Sequence, residues 1–232
     1  VADIPALTLS QLASMTAAQH AVLTAGQLAA MSPAQIAAIP YVTPLILDLN
    51  GDGVQTTSLA EGVSFDLRAT GEALQTGWVA GGDGLLAIDR NGDGLINDGS
   101  ELFGSAFRLA DGTQAADGFA ALASLDSNLD GVLSADDGDF GALLVWRDDN
   151  HDGITQSGEL LGLSDLGIVS IGLDAERGTT IDEGNWLGLE GSYTTSDGQT
   201  HDIVDVWLRT GQSSLLEQHM GGLSTGSPDS LL

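Results

Sequence analysis

Residues 7–38 repeat every eight positions, as LTLSQLAS, MTAAQHAV, LTAGQLAA and MSPAQIAA. Each unit opens on Leu or Met, continues with Thr or Ser, and places Gln three positions after the hydroxyl. The pairs Thr8–Gln11, Thr16–Gln19, Thr24–Gln27 and Ser32–Gln35 each read as a capping box, in which hydroxyl and amide satisfy free N–H groups at a helix start. Four successive helix starts predict a chain of short helical turns, with one long amphipathic helix as the competing reading. Such short units need stacked neighbours to bury their Leu, Met and Ile positions. His20 stands where other units carry Leu or Ile and reads as a semi-buried variant, not a ligand. The prolines of Ile39-Pro40-Tyr41-Val42-Thr43-Pro44 then impose extended backbone, and a boundary falls there.

The texture changes at residue 45. Leu45-Ile46-Leu47 reads as a short apolar strand running into an Asp/Gly loop, and residues 59–80 as strands around Phe65 and Trp78. Segments 115–125, 139–147 and 159–166 carry helical spacing between Asp-rich loops. Ile168–Leu173 reads as a strand, and Leu187–Thr195 with His201–Leu208 as a hairpin turned at Ser196-Asp197-Gly198. Residues 210–232 read as a flexible tail. The expected organisation is an octapeptide-repeat helical segment (1–43), a main domain (44–209) and that tail.

Composition narrows the chemistry. The 232 residues hold 33 acidic and 6 basic side chains, a net charge of −27, and all six bases are Arg. A chain this acidic does not suit the phosphate backbone of nucleic acids or an anionic membrane surface. The absence of Cys excludes disulfides and zinc–thiolate sites. No apolar stretch reaches the roughly 18 residues a bilayer span needs, and the first residues lack the basic and apolar regions of a secretory signal. The start at Val rather than Met suggests a fragment of a longer protein. Asp outnumbers Glu by 25 to 8, beside 32 Gly, which points to tight, oxygen-lined loops awaiting a cation.

Calcium takes about six to eight oxygen ligands, and the EF-hand loop supplies them from positions 1, 3, 5, 7, 9 and 12 with Gly at 6. Residues 148–159 follow that scheme without a gap: Asp148, Asn150, Asp152, the Ile154 carbonyl, Gln156 and Glu159, with Thr155 a departure at position 8. Residues 126–137 offer Asp126, Asn128, Asp130, the Val132 carbonyl, Ser134 and Asp137, with Asp136 a possible substitute. Residues 89–101 offer Asp89, Asn91, Asp93, the Leu95 carbonyl and Asn97, while Glu101 comes one residue late. Residues 48–54 give only Asp48, Asn50, Asp52 and the Val54 carbonyl. Their closing acid must come from elsewhere, with Asp83 or Asp66 as candidates. Asp66-Leu-Arg-Ala-Thr-Gly reads as a decayed loop, because Arg68 fills its third position. Loops 126–137 and 148–159 lie so close in sequence that one short helix is expected to serve both. Trp146 and Trp207 read as core, and Arg90 and Arg147 as local charge compensation. The expected fold is therefore α+β: EF-hand-like loops linked by short helices, a small antiparallel hairpin or sheet, and the helical repeat. About three to four calcium ions are expected, Mg²⁺ being the rival ion.

The words PLILDLNGDGV (44–54), FD (65–66), TGW (76–78), DGLLAIDRNGDG (83–94), ELFG (101–104), LDSNLDG (125–131), VWRDDNHDG (145–153), EL (159–160) and DVWL (205–208) resemble the calcium-binding self-processing module of FrpC-like RTX (repeats-in-toxin) proteins. That resemblance implies bacterial type I secretion and folding on extracellular calcium. In self-processing members an Asp-Pro bond at the start of the module cleaves itself through an anhydride, which can then join to a Lys amine. Here Thr43 precedes Pro44, and the chain has neither an Asp-Pro bond nor a Lys.

The expected function is a calcium-folded, secreted or cell-surface module of a larger RTX- or adhesin-like protein, without self-cleavage and with a protein partner in view. No nucleic acid or membrane insertion is expected. The alternatives are a self-processing module silenced at Thr43, a dockerin-like interaction module, and a sensor, which only three Met disfavour.

Overall fold

An apolar run such as Leu45-Ile46-Leu47 leaves a strand without a polar face, so both faces must be covered. In the computed structural model of the chain, which describes residues 6–13, 27, 30–32, 35 and 42–211, this run is β1 (Leu45–Leu47), buried at all three residues. It lies between β4 (Gly84–Ala87) and β11 (Thr200–Trp207), antiparallel to both. Beyond β4 come β6 (Leu144–Trp146) and β7 (Leu160–Gly162). Beyond β11 come β10 (Asn185–Thr195), β8 (Ile168–Gly172) and β5 (Val132–Ser134), and β9 (Glu176–Asp182) also pairs with β10. These nine strands form an antiparallel sheet curled into a half-barrel. β2 (Val63–Phe65) and β3 (Leu74–Thr76) form a separate ribbon.

Side chains alternate across the sheet, and each face has its own core. Ile46, Leu85, Trp146, Val204 and Val206 pack with Phe65 and Trp78 on one side. Leu45, Leu47, Leu86, Val145 and Ile203 pack with Phe103, Phe119 and Leu122 on the other. Phe65, Trp78 and Trp146 meet with ring centroids 5.1–5.6 Å apart. Each large side chain buried this way contributes about 1.5–3 kcal/mol, which lets three-residue strands persist.

The expected α+β architecture is corrected: the protein is mostly β, with two short helices among the described residues, α1 (Leu9–Ala13) and α2 (Gly118–Ala123). α2 falls inside 115–125, and Asp117 caps it by accepting from Ala120 N at 2.7 Å. Segment 139–147 instead holds a single 3₁₀ turn, Phe140–Ala142, followed by β6, and segment 159–166 holds β7. Phe140, Leu143 and Leu144 do have helical spacing. Yet Leu144-Val145-Trp146 ends on β-branched and aromatic residues, and β4 offers it a ladder. The strand readings at 45–47, 168–173 and 187–208 coincide with β1, β8 and the β10–β11 hairpin.

Two of the octad capping boxes are described, and both are reciprocal. Thr8 N donates to Gln11 Oε1 at 2.9 Å while Gln11 N donates to Thr8 Oγ1 at 3.3 Å. Ser32 and Gln35 repeat this with the same two distances. Gln35 Nε2 also donates to the Leu7 carbonyl at 2.9 Å, joining the fourth unit to the first. Thr16, Gln19, His20 and Thr24 lie outside the described residues, as does the tail beyond Gly211.

Gly104 lets the chain at 103–105 lie flat on the start of β1. Leu45 N donates to the Phe103 carbonyl at 2.7 Å, and a Cβ on Gly104 would stand 1.5 Å from the Thr43 carbonyl oxygen. Gly104→Ala is therefore expected to cost about 3 kcal/mol by overpacking, read as a lower urea midpoint. Gly138→Ala, whose Cβ meets nothing within 4 Å, is expected to stay within about 0.5 kcal/mol of the parent.

Candidate metal centre

Strand register assembles the first cluster. Leu47 faces Gly84 across the β1–β4 ladder, so Asp48, one residue past β1, stands beside Asp83, one residue before β4. Asp48 and Asp83 are buried, Asp52 is exposed, and their ligand oxygens all lie within 4.8 Å of one another. Among the described residues this is the one acidic triad gathered so closely. Asp48 Oδ1 accepts from Gly51 N (2.7 Å) and Oδ2 from Gly53 N (2.9 Å). Asp83 accepts from Leu49 N (3.3 Å) and Gln55 N (2.9 Å). The Asn50 side chain donates to the Gly81 carbonyl at 2.7 Å, and the Tyr193 hydroxyl to the Asp48 carbonyl at 2.6 Å. Burial pushes the Asp83 carboxyl up to about 6; the Gln55 and Leu49 N–H groups offset part of this, and Asp48 and Asp52 add to it. Burial, reinforced by Asp48, pushes the Tyr193 phenol up to about 12. A divalent cation would relieve the repulsion here, and the hard oxygen donors fit calcium. Asp66 is not part of this triad.

The same turn recurs through the chain. Position 4 of each loop has a left-handed backbone (Gly51, Gly92, Leu129, His151), and so does position 6 (Gly53, Gly94, Gly131, Gly153). The first Asp accepts from the position-6 N–H in every case: Asp48 at 2.9 Å, Asp89 at 2.9 Å, Asp126 at 3.0 Å and Asp148 at 2.8 Å. Asn50, Asn91, Asn128 and Asn150 each accept from the N–H two residues on. Asp93, Asp130 and Asp152 do the same with Leu95, Val132 and Ile154. Asp66 also follows the pattern, accepting from Gly71 N, with Ala69 and Gly71 left-handed. The segment read as decayed thus keeps the backbone and has lost the ligand pattern.

The closing acids turn back onto their loops. Glu101 accepts from Arg90 N (3.1 Å) and Asn97 N (2.8 Å), so the extra residue does not take it out of reach. Asp137 accepts from Ser127 N (2.8 Å) and Ser134 N (3.0 Å), and these N–H groups, Ser134's first, hold its carboxyl below the usual range. Asp136 is exposed. Glu159 accepts from Gln156 N (2.9 Å) and Trp146 Nε1 (3.2 Å). The Gln156 side chain donates to Asp152 at 2.6 Å and is the main reason that carboxyl is lowered. The Asn97 side-chain amide donates to Asp93 Oδ2 and Glu101 Oε2, 3.1 Å from each, when its nitrogen faces them.

The expected pairing of loops is also corrected. A 3₁₀ turn and β6, not a shared helix, join loops 126–137 and 148–159. Loops 89–101 and 148–159 meet through their eighth residues: Ile96 N donates to Thr155 Oγ1 at 3.0 Å, and that hydroxyl donates to the Ile96 carbonyl at 3.3 Å. Thr155, which departs from the motif in sequence, is the residue that joins them. The core tryptophans have a second role that the sequence does not signal. Trp78 Nε1 donates to Asp148 at 2.7 Å, and Trp146 to Glu159 as above, while Trp207 is core alone with Trp186. Arg147 pairs with Asp149 at 3.0 Å. Arg90 instead lies over the Phe107 ring, 4.5 Å from its centroid.

The SPM domain family matches residues 45–209 of this chain. The chain is also similar to the iron-regulated protein FrpA of Neisseria meningitidis serogroup C, 47% identical over 168 residues. That alignment takes in 71% of this chain and 15% of the relative, so the chain corresponds to a small part of that protein.

Asp83 generates a two-sided prediction. Its carboxyl lies at about 6 when folded against 3.8 as the reference, so in chelator its contribution to stability is complete below pH 4 and lost as pH rises through 6. Asp83→Asn removes that loss and is expected to stabilise the chelated protein at pH 7 by on the order of 1 kcal/mol after solvent screening. In calcium the same variant is expected to be less stable than the parent. Urea unfolding at pH 4 and pH 7, with and without calcium, checks both signs.

Proposed function

The chain belongs to the SPM domain family, and on that premise we propose that it is a calcium-folded extracellular module of a larger RTX-type protein exported by type I machinery. It binds about three to four calcium ions and does not cleave itself, because Thr43 supplies a hydroxyl where anhydride chemistry needs a carboxyl. The observation that carries this reading is the convergence of Asp48, Asp52 and Asp83 at the junction of the two central strands. The three further loops with the same backbone support it.

Bound calcium supplies positive charge that offsets both carboxylate repulsion and the burial of Asp48 and Asp83. The chain's own residues do the rest. Asp48 holds the loop closed through Gly51 and Gly53. Asp83 ties the loop's two sides through Leu49 and Gln55, and Tyr193 anchors the Asp48 backbone from β10. With −27 net charge, self-repulsion opposes the compact state whenever these groups lack a counter-ion. Millimolar external calcium then favours folding, and low cytosolic calcium leaves the chain in an exportable state.

Far-UV circular dichroism with intact-mass measurement, in chelator and then through a calcium titration, tests this. A cooperative gain of structure at unchanged mass is expected, with each site adding about 2.7 kcal/mol at a hundredfold excess over its Kd. A spectrum and melting temperature indifferent to calcium would overturn the reading.

A further inference from the structure

The peptide link between Thr43 and Pro44 is gripped from both edges. On one side Ser105 N donates to Thr43 Oγ1 at 3.1 Å and to the Thr43 carbonyl at 3.2 Å, and Thr43 N donates to Ser105 Oγ at 3.2 Å. On the other, Val206 N donates to the Pro44 carbonyl at 3.0 Å and Leu208 N to the Val42 carbonyl at 3.2 Å. Asp205, the β11 residue just before Val206, lies opposite Leu45 in register and is 0% exposed. Its Oδ2 accepts from Gly118 N, the first residue of α2, at 2.8 Å. Its Oδ1 is buried without a well-formed hydrogen bond.

We infer that Asp205 is a proton-holding positioning residue for the 43–44 peptide link, its Oδ1, which lacks a well-formed hydrogen bond, completing a cradle that performs acyl transfer once residue 43 carries a carboxyl. The inference rests on the family reading above and adds a residue and a switch to it. An asparagine would accept from Gly118 N equally well and escape the cost of burying an acid. What a carboxyl adds is the capacity to hold and release a proton. Burial raises Asp205 to about 8, the Gly118 N–H lowers it in part, Asp117 raises it and the Thr43 side chain lowers it. Asp117, which caps α2, is the charged group facing it. Oδ2 is occupied as an acceptor, so the proton belongs on Oδ1.

In T43D the new carboxyl and Asp205 share one proton, as closely spaced acids do. A side-chain oxygen of the new carboxylate adds to its own residue's carbonyl carbon, with the Ser105 N–H placed to stabilise the developing oxyanion. The C–N bond to Pro44 breaks, and the shared proton ends on the proline nitrogen. The products are a five-membered cyclic anhydride and a free secondary amine, with Asp205 left as a carboxylate. Water then opens the anhydride to two carboxyls, one of which returns a proton to Asp205, so the net change is hydrolysis of one peptide bond.

The test uses the whole chain in calcium. T43D is expected to split at 43–44 by intact mass, at a rate that falls on the alkaline side as the pair loses its shared proton. T43D/D205N, verified as folded by circular dichroism, is expected to cleave at least about a hundredfold more slowly and to lose that pH limb. Equal rates and equal pH profiles in the two variants would reduce Asp205 to a strut. A folded T43D that stays intact would overturn the proposal while leaving the calcium-folding result standing. Should T43D not fold, carbonyl ¹³C titration of Asp205 in the parent chain decides: a neutral acid at pH 7 is expected, and an ionised one refutes the proposal.

Discussion

Thirty-three carboxylates share this chain with six guanidinium groups, and almost everything in the structure follows from where the surplus finds partners. Backbone N–H groups are the main answer. The first Asp of every loop spends its oxygens on the N–H groups of the tight turn it opens. Such charge-assisted hydrogen bonds contribute about 1.5–3 kcal/mol each. In the first loop they also fix the backbone so that Asp48 and Asp52 gather with Asp83. There turn formation and charge accumulation are one event, and the residues that shape the loop create the field that a cation would answer.

The sheet turns this local electrostatics into a property of the whole fold. β1, β4 and β6 have only three or four residues each, and strands so short hold through what covers them. Their ends run into loops 48–54, 89–101 and 148–159. A shift of Asp48 away from Asp83 would pull on the Leu47–Gly84 pairing, and a shift of Asp148 would pull on Trp78 at the centre of one core. Ile96 and Thr155 add a direct link between two loops. The half-barrel and its acidic rim are mechanically one body.

The parts of this arrangement legible in the sequence are those set by near neighbours. Asp at alternate positions with Gly at the sixth identifies the loops, because both requirements are local. The apolar run at 45–47 and the turn at 196–198 identify β1 and the hairpin for the same reason. Segments 139–147 and 159–166 misled because their apolar spacing spans only two turns, too short a window to separate helix from strand; the partner that decides the first, β4, lies over fifty residues away, and the second pairs with β6 once that strand has formed. Antiparallel pairing likewise brings Asp83 to Asp48, and nothing within the 48–54 segment specifies it. Asp205 left a faint signal, an acid amid Ile203, Val204, Val206 and Trp207, but only the fold shows that it faces residue 43.

That acid separates two accounts of the chain between Val42 and Leu45. A strand end needs a ladder, and β11 together with residues 103–105 supplies one. It does not need a buried carboxyl whose second oxygen lacks a well-formed hydrogen bond, which opposes folding as soon as it ionises. Nor does it need a glycine at 104 that brings a second backbone against the Thr43 carbonyl. Restraints beyond the demands of packing mark positions held for chemistry rather than for stability. Around Thr43 they are all present, and the side chain they enclose is a hydroxyl. On the proposal above, these are the surroundings of a reactive peptide link, and the identity of residue 43 decides between a stable joint and a self-severing one.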